Sequence, residues 1–141
     1  MTLPIPHVAP GESISEADFQ RVLYQRLNAP HRLTRVWRQN SGAVTTRSET
    51  GKVTGRFQGA ITGAADLSGI VGPLGLRLEI EVKVKHKHTP QQIAFGQVIT
   101  KLGGIYVLVR YDPTLTLAAN VERGLRIVDE AIAARSQTHV P

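Results

Sequence analysis

One stretch of the chain constrains its fold more than any other. From Leu76 to Val84, apolar residues alternate with charged residues at every position. An extended strand has a side-chain period of two, so this segment presents one apolar face and one charged face. The spacing predicts a β-strand with its apolar side against a core. It leaves open whether the charged side is a solvated outer face or a functional one.

The segments around this strand predict an α/β fold. Ser13 or Ser15 can cap a first helix that ends near Asn28. Thr89 and Pro90 open a second, well-packed helix, and a third runs roughly over 117–135. Further strands are predicted at 34–38, 66–71 and 105–109, the last fully buried. The predicted fold class is α/β, a small mixed β-sheet flanked by helices.

The 141 residues suit one domain. We place it at 13–135, with flexible tails at 1–12 and 136–141. The Gly-, Thr- and Ser-rich stretch from 42 to 63 predicts a long flexible loop or a loose hairpin.

Composition narrows the function classes. The chain has no cysteine, which excludes a disulfide framework and a cysteine-based zinc finger. It has no apolar run long enough to span a bilayer and no signal-peptide pattern at its start, so we expect no membrane partner and a cytoplasmic location in a bacterial or phage-infected host cell.

The charge balance favours a polyanionic partner. The formal net charge is +6 and the isoelectric point is about 10.2, although many small proteins are basic for solubility alone. Polar and basic residues on both sides of the alternating strand are candidates for contacts to the phosphates of such a partner, the alternative being solvated loop charge. These candidates are Arg38, Asn40, Arg47, Lys52, Arg56, Lys85 and Thr89.

A short hairpin brings Asp66 to the charged face of the strand. A turn centred near residues 73–74 pairs Asp66 with about Glu81, and Lys83 follows two residues later on the same face. Carboxylate oxygens suit Mg²⁺ or Mn²⁺. A lysine beside such an ion can orient the attacking water and offset charge developing on a phosphate. The sequence therefore predicts metal-assisted phosphodiester hydrolysis.

These residues carry a family resemblance. Gly63-Ala64-Ala65-Asp66 followed by Glu81-Val82-Lys83 resembles the PD-(D/E)xK nuclease superfamily. Further segments over roughly 13–110 resemble its VRR-NUC branch. They are Glu16, Trp37-Arg38-Gln39-Asn40-Ser41-Gly42, Thr89-Pro90-Gln91-Gln92 with Phe95, and Gly103-Gly104-Ile105-Tyr106-Val107. Ala65 stands where the family often has proline, a position that shapes the backbone and supplies no ligand.

The resemblance implies a restriction-endonuclease-like core and a role for each matching residue. Asp66 and Glu81 would hold Mg²⁺ or Mn²⁺ together with the backbone carbonyl of Val82 and, directly or through water, Glu16. Lys83 would position the water, and Gln92 would lie near the scissile phosphate. Glu79 has no role in this pattern beyond that of a neighbour.

The resemblance also implies the activity, an endonuclease acting on branched DNA in the manner of a Holliday-junction resolvase. The alternatives are a flap or linear DNA nuclease with the same site, or a catalytically silent DNA-binding protein. A homodimer would supply paired cuts. Its interface would come from the last helix and the Trp37 strand, unless both simply pack on the sheet. Trp37 itself is interpreted as a core or interface anchor, and His86 and His88 as surface residues.

Overall fold

The structure is a computed structural model that describes residues 3–39, 43–58 and 63–137. Within these ranges the chain forms three helices and six strands. In chain order they are α1 (Glu16–Leu27), β1 (Thr34–Arg38), β2 (Ala43–Arg47), β3 (Val53–Gln58), β4 (Leu67–Val71), β5 (Leu76–Lys83), α2 (Pro90–Lys101), β6 (Ile105–Arg110) and α3 (Leu117–Gln137).

Four strands form a mixed sheet in the order β1-β4-β5-β6. β4 is antiparallel to both β1 and β5, whereas β5 and β6 are parallel and are joined through α2. The predicted α/β class with a small mixed sheet and flanking helices is thereby confirmed. β2 and β3 form a separate antiparallel hairpin, which confirms the hairpin alternative for residues 43–58.

The register of β4 and β5 follows from the short turn between them. Leu67 pairs with Ile80 and Ser68 with Glu79. Continuing this register by one residue places Asp66 opposite Glu81, as the hairpin predicts. The strand itself begins at Leu67 rather than at Asp66.

The hydrophobic core lies between one face of the sheet and the helices α1 and α3. Phe19 and Leu23 of α1 and Val121 and Val128 of α3 are almost fully buried there. The sheet supplies Val36, Leu67, Val71, Leu78, Ile80, Val82, Ile105, Val107 and Val109. The apolar side of α3 is therefore used within the fold, as the packing alternative to an interface predicts.

The amino-terminal segment lies against this core at Ile5 and Val8. The Val8 carbonyl accepts a hydrogen bond from Leu117 N at 3.0 Å. At the other end, α3 continues two residues beyond the expected 135, to Gln137.

The helix α2 covers part of the opposite sheet face. Gly96 makes this contact possible, because a Cβ there would lie 2.6 Å from the ring of Tyr106. Gly96 is also the only residue of α2 that is fully buried, while Ile93, Val98 and Leu102 are exposed. The prediction of a well-packed second helix is thus wrong. β6 alternates between buried and half-buried residues instead of being fully buried, because α2 leaves this face partly open.

No helix within the described residues has the length and apolar character that a membrane crossing requires.

Candidate active site on the polar face of β5

The charged face of β5 is buried from Glu79 to Lys83. Glu79 and Glu81 are each 1% exposed, and Lys83 is 5% exposed, whereas the side chain of Arg77 at the start of the strand is 54% exposed. The alternative of a solvated outer face is therefore wrong for these three residues. Burying ionised side chains in a small protein is costly unless each one is paired, so the partners of each group decide what this face can do.

Asp66 directly precedes β4, and its side chain continues the hydrogen bonding of that strand to β5. Its Oδ2 accepts a hydrogen bond from Val82 N at 2.8 Å. Its backbone carbonyl accepts from Gln39 N at 2.9 Å, which continues the pairing of β1 with β4 by one residue. The preceding loop lies against the start of α2, since a Cβ on Gly63 would be 2.5 Å from the Gln91 carbonyl oxygen. These contacts fix a half-buried carboxylate at the edge of β5.

The backbone carbonyl of Val82 points toward the same edge. The next carbonyl along, that of Lys83, accepts a hydrogen bond from Tyr111 N on the β6 side. Successive carbonyls of an extended strand point to opposite edges, so the Val82 carbonyl is directed to the side on which Asp66 lies. The predicted backbone ligand and the predicted carboxylate ligand therefore share one edge of the strand.

Glu81 has contacts on only one of its two carboxylate oxygens. Its Oε1 accepts a hydrogen bond from Gln92 Nε2 at 2.9 Å and lies 3.5 Å from Lys83 Nζ. Its Oε2 is buried without a hydrogen-bond partner. An unpartnered buried carboxylate oxygen costs free energy, and nothing in the packing of the strand requires it.

The pKa of Glu81 is raised to about 8, first by burial and then by repulsion from the neighbouring Asp66 carboxylate. Lys83 acts in the opposite direction, through its positive charge and its hydrogen bond. Raised carboxyl pKa values of this kind are typical of sites where two acidic groups are held together for a function.

The first turn of α2 fixes the orientation of the Gln92 side chain. Thr89 caps the helix, and its hydroxyl accepts a hydrogen bond from Gln92 N at 3.2 Å. The Gln92 side-chain oxygen in turn accepts from Thr89 N at 2.9 Å, which completes a capping box. Because its oxygen is engaged, the side chain presents its amide nitrogen to Glu81. Gln92 therefore contacts Glu81 directly.

Glu16 reaches β5 from the first turn of α1. Its Oε1 accepts a hydrogen bond from Val84 N at 3.1 Å. Val84 directly follows β5, so Glu16 lies just beyond the end of the strand, two residues from the backbone group that Asp66 binds. In the described part of the chain, no three acidic or histidine side chains converge closely enough to hold a metal ion by themselves.

Glu79 differs from Glu81 in having a partner on each oxygen. Ser68 Oγ donates to its Oε2 at 2.6 Å, and Arg77 Nε donates to its Oε1 at 2.6 Å. The two glutamates share one strand face and one degree of burial, yet Glu79 is fully paired within the protein.

The predicted DNA contacts lie in several places. Arg38 turns toward α1, where its Nε donates to Gln20 Oε1 at 2.9 Å. Arg47 lies in the hairpin, where its NH1 donates to the Gly51 carbonyl at 3.2 Å. Lys52, Lys85 and Thr89 are exposed. Asn40 and the side chain of Arg56 lie outside the described residues.

Two residues of this region were not predicted from the sequence. His88 is half-buried rather than on the surface, and its Nε2 lies 2.9 Å from the Tyr106 hydroxyl. Burial, followed by the charges of Lys83 and Arg110, lowers the pKa of His88. Burial and the charges of Glu81, Asp66 and Glu79 raise the pKa of Tyr106. Tyr106 pairs with Glu79 in the parallel register of β5 and β6, so the two side chains share a face. The alternation of β6 alone could not show this, because the register is not visible in the sequence.

No known protein family matches this chain, and no curated protein or solved structure is similar to it at a significant level.

Proposed function

We propose that this protein is a divalent-metal-dependent DNA endonuclease with a restriction-endonuclease-like core. The observation that carries the proposal is the buried Glu81 Oε2, which has no partner although it lies beside Asp66 and Lys83. A structural carboxylate in this place would be paired, as Glu79 is. A cation between Glu81 and Asp66 would satisfy the oxygen and remove the repulsion between the two carboxylates.

The donors present fit Mg²⁺ or Mn²⁺. Asp66 and Glu81 would hold the ion together with the Val82 carbonyl, all three being hard oxygen ligands. Glu16 lies just beyond the end of the strand and would contribute through water. When bound, such an ion supplies Lewis-acid activation of a phosphodiester and of the attacking water.

The remaining groups have roles that their contacts define. Lys83 Nζ, at 3.5 Å from Glu81 Oε1, holds a positive charge at the site and would offset the negative charge that develops on the phosphate. Gln92 keeps Glu81 in one orientation through its amide nitrogen. Asp66 is fixed by Val82 N, so neither carboxylate needs to reorganise when the substrate arrives.

DNA is the proposed substrate because the chain has a formal net charge of +6. Exposed Lys85 and the start of α2 at Thr89 adjoin the site and would contact phosphates. Branched DNA, such as a four-way junction, is the proposed form, and pairing of two copies would supply two cuts related by symmetry.

Cleavage of a panel of labelled DNAs tests the proposal. Four-way, flapped, linear duplex and single-stranded DNA are each incubated with the full chain in Mg²⁺, in Mn²⁺ and in excess chelator. We expect products with either ion and none with chelator. Nicking of a covalently closed circle would establish that the cuts are internal.

Binding is measured separately, in chelator, so that DNA contact and cleavage are not confused. The affinity should fall with salt at a slope of about 0.9 per phosphate neutralised. Binding without cleavage under all conditions would contradict the nuclease and favour a silent DNA-binding protein. Cleavage that persists in chelator would contradict the metal site.

A further inference from the structure

The sheet face that carries the candidate site continues past it across β5, β4 and β1. Paired residues of antiparallel strands share a face, so Trp37 lies opposite Ser68, and Ser68 lies opposite Glu79. The adjacent row on this face pairs Arg35 with Ile70 and Ile70 with Arg77. We name the exposed members of these two rows, Arg35, Trp37, Ile70 and Arg77, the outer sheet patch.

The outer sheet patch is open although the site beside it is buried. Trp37 and Ile70 are each 45% exposed, and the side chain of Arg77 is 54% exposed. Next to them, Ser68 is 2% exposed and Glu79 is 1% exposed. The sequence pattern placed Trp37 in a core or an interface, whereas β1 turns this side chain away from the core that Val36 enters.

The register fixes the relation between Trp37 and the candidate site. Because Trp37 pairs with Ser68, Asp66 is its diagonal neighbour on the same face. Diagonal neighbours have Cα atoms about 7–8 Å apart, a distance that an aromatic side chain spans. An indole in this position is one residue row away from the Asp66 and Glu81 carboxylates.

We propose that Trp37 is a stacking platform for an unpaired DNA base next to the scissile bond, so that among branched DNAs those with a single-stranded segment at the cut, such as flaps, are favoured over the fully paired four-way junction. The location beside the cut rests on the proposed nuclease function; the stacking itself does not. The planar indole can stack only on a base that is not covered within a duplex, which is how aromatic side chains bind single strands.

The charges of the patch favour a nucleic acid over a second copy of the chain. Arg35 and Arg77 lie at the two ends of the Ile70 row, beside the row of Trp37. The NH1 group of Arg35 is oriented by the carbonyls of Arg32 and Thr34, and Arg77 is paired through its Nε with Glu79. A two-fold contact would bring the same patch of both copies together and would set arginine against arginine. A DNA backbone on either side of a stacked base brings negative charge to these positions.

The sole tryptophan of the chain makes the test direct. Intrinsic indole fluorescence is measured in chelator, so that no cleavage occurs, while a short oligothymidylate or a blunt duplex is added. We expect quenching by the oligothymidylate at salt concentrations where the duplex gives little change. Fluorescence that changes with protein concentration alone would assign the patch to self-association and overturn the proposal.

Substitutions separate stacking from general binding. Trp37→Leu should weaken oligothymidylate binding by roughly 5- to 150-fold, the range for loss of one stacked base. Trp37→Phe, which keeps a ring, should restore part of this affinity. Leu102→Ala is the matched control, because Leu102 is 77% exposed at the far end of α2. Equal losses on single-stranded and duplex DNA in Trp37→Leu would overturn the proposal.

The same measurements distinguish failure of the platform from failure of the nuclease. If the oligothymidylate quenches the fluorescence but the protein cuts no DNA, the stacking proposal is supported and the proposed nuclease function is contradicted. Cleavage without quenching, and with Trp37→Leu cutting flapped DNA as fast as the unmodified protein, would remove the platform and leave the nuclease. In the expected result, Trp37→Leu loses most of its preference for flapped over duplex DNA.

Discussion

Glu79 and Glu81 stand two residues apart on one face of one strand and are both 1% exposed. Glu79 has a donor on each oxygen, from Ser68 and Arg77. Glu81 leaves Oε2 unpartnered and lies beside a second carboxylate, and its pKa is raised to about 8. The difference teaches that burial and charge alone do not identify a functional carboxylate. In this strand, the unpartnered Oε2 is what distinguishes Glu81 as the candidate.

The cause of the difference lies in where β4 begins. Opposite Glu79, β4 supplies Ser68, whose hydroxyl donates to the carboxylate. Opposite Glu81 the strand has not yet begun, and the residue in that place is Asp66, which brings a second negative charge instead of a donor. One strand end therefore converts a paired structural glutamate into a candidate metal ligand.

The largest expected effect is a loss of cleavage activity on substitution of Glu81 but not of Glu79. Glu81→Gln should lower cleavage by about 10³-fold or more, because the amide cannot hold the ion as a carboxylate does. Glu79→Gln, the matched variant on the same face, should stay within about tenfold of the unmodified protein. Single-turnover cleavage rates measure both. A dead Glu79→Gln beside an active Glu81→Gln would show that the site is shifted by one residue pair.

The effect of metal binding on thermal stability should also differ between variants of Glu81 and of Glu79. Mn²⁺ that binds only the folded protein stabilises it by about 2.7 kcal/mol at one hundred times its dissociation constant. Thermal unfolding with and without Mn²⁺ should therefore show a raised midpoint in the unmodified protein and in Glu79→Gln. Glu81→Gln should show little or no shift. An equal shift in all three proteins would place the ion elsewhere.

The raised pKa of Glu81 predicts a pH dependence in the metal-free protein. Between its ordinary value of 4.5 and the folded value of about 8, the folded state holds a proton that the unfolded state releases. Stability contributed by this proton is present at low pH and is lost as the pH rises through that window. Glu81→Gln removes the effect, so its unfolding midpoint should exceed that of the unmodified protein by several degrees at pH 8.5 and approach it near pH 5.

The difference between the two unfolding midpoints is the quantity to follow, because all other titrating groups are common to both proteins. A difference that is constant with pH would contradict the raised pKa. Glu79→Gln provides the reverse comparison, since this change weakens the contacts to Ser68 and Arg77 and should destabilise the protein at every pH.

The smallest expected effect concerns the capping box at the start of α2. Thr89→Ala removes the cap and should cost about 1 kcal/mol of stability. Gln92→Ala removes the cap partner and the contact to Glu81, so it should lower cleavage further at a comparable loss of stability. Chemical denaturation and cleavage rates together test this. Equal activity in the two variants would mean that Gln92 acts only as a capping residue.

Local patterns predicted most of the elements. The alternation from Leu76 to Val84 gives β5, and Thr89 with Pro90 gives the start of α2. The turn before β5 also fixes the register that sets Asp66 opposite Glu81. These features depend on neighbours in sequence, so periodicity and turn chemistry suffice to find them. The pairing of the three residues Asp66, Glu81 and Lys83 was predictable for the same reason.

Local sequence patterns were therefore enough to predict the three helices, the four strands of the mixed sheet and which charged residues share a face, while residues 43–58 were left as either a loop or a hairpin. Only the tertiary structure decided that this face is buried at Glu81, that Glu79 is fully paired and that Trp37 and the outer side of α2 stay exposed. Exposure depends on which element covers which part of the sheet, and α2 covers only the part near Tyr106 through Gly96. The period of two along a strand shows which side chains share a face. Which residues pack on that face depends on elements that are distant in the chain.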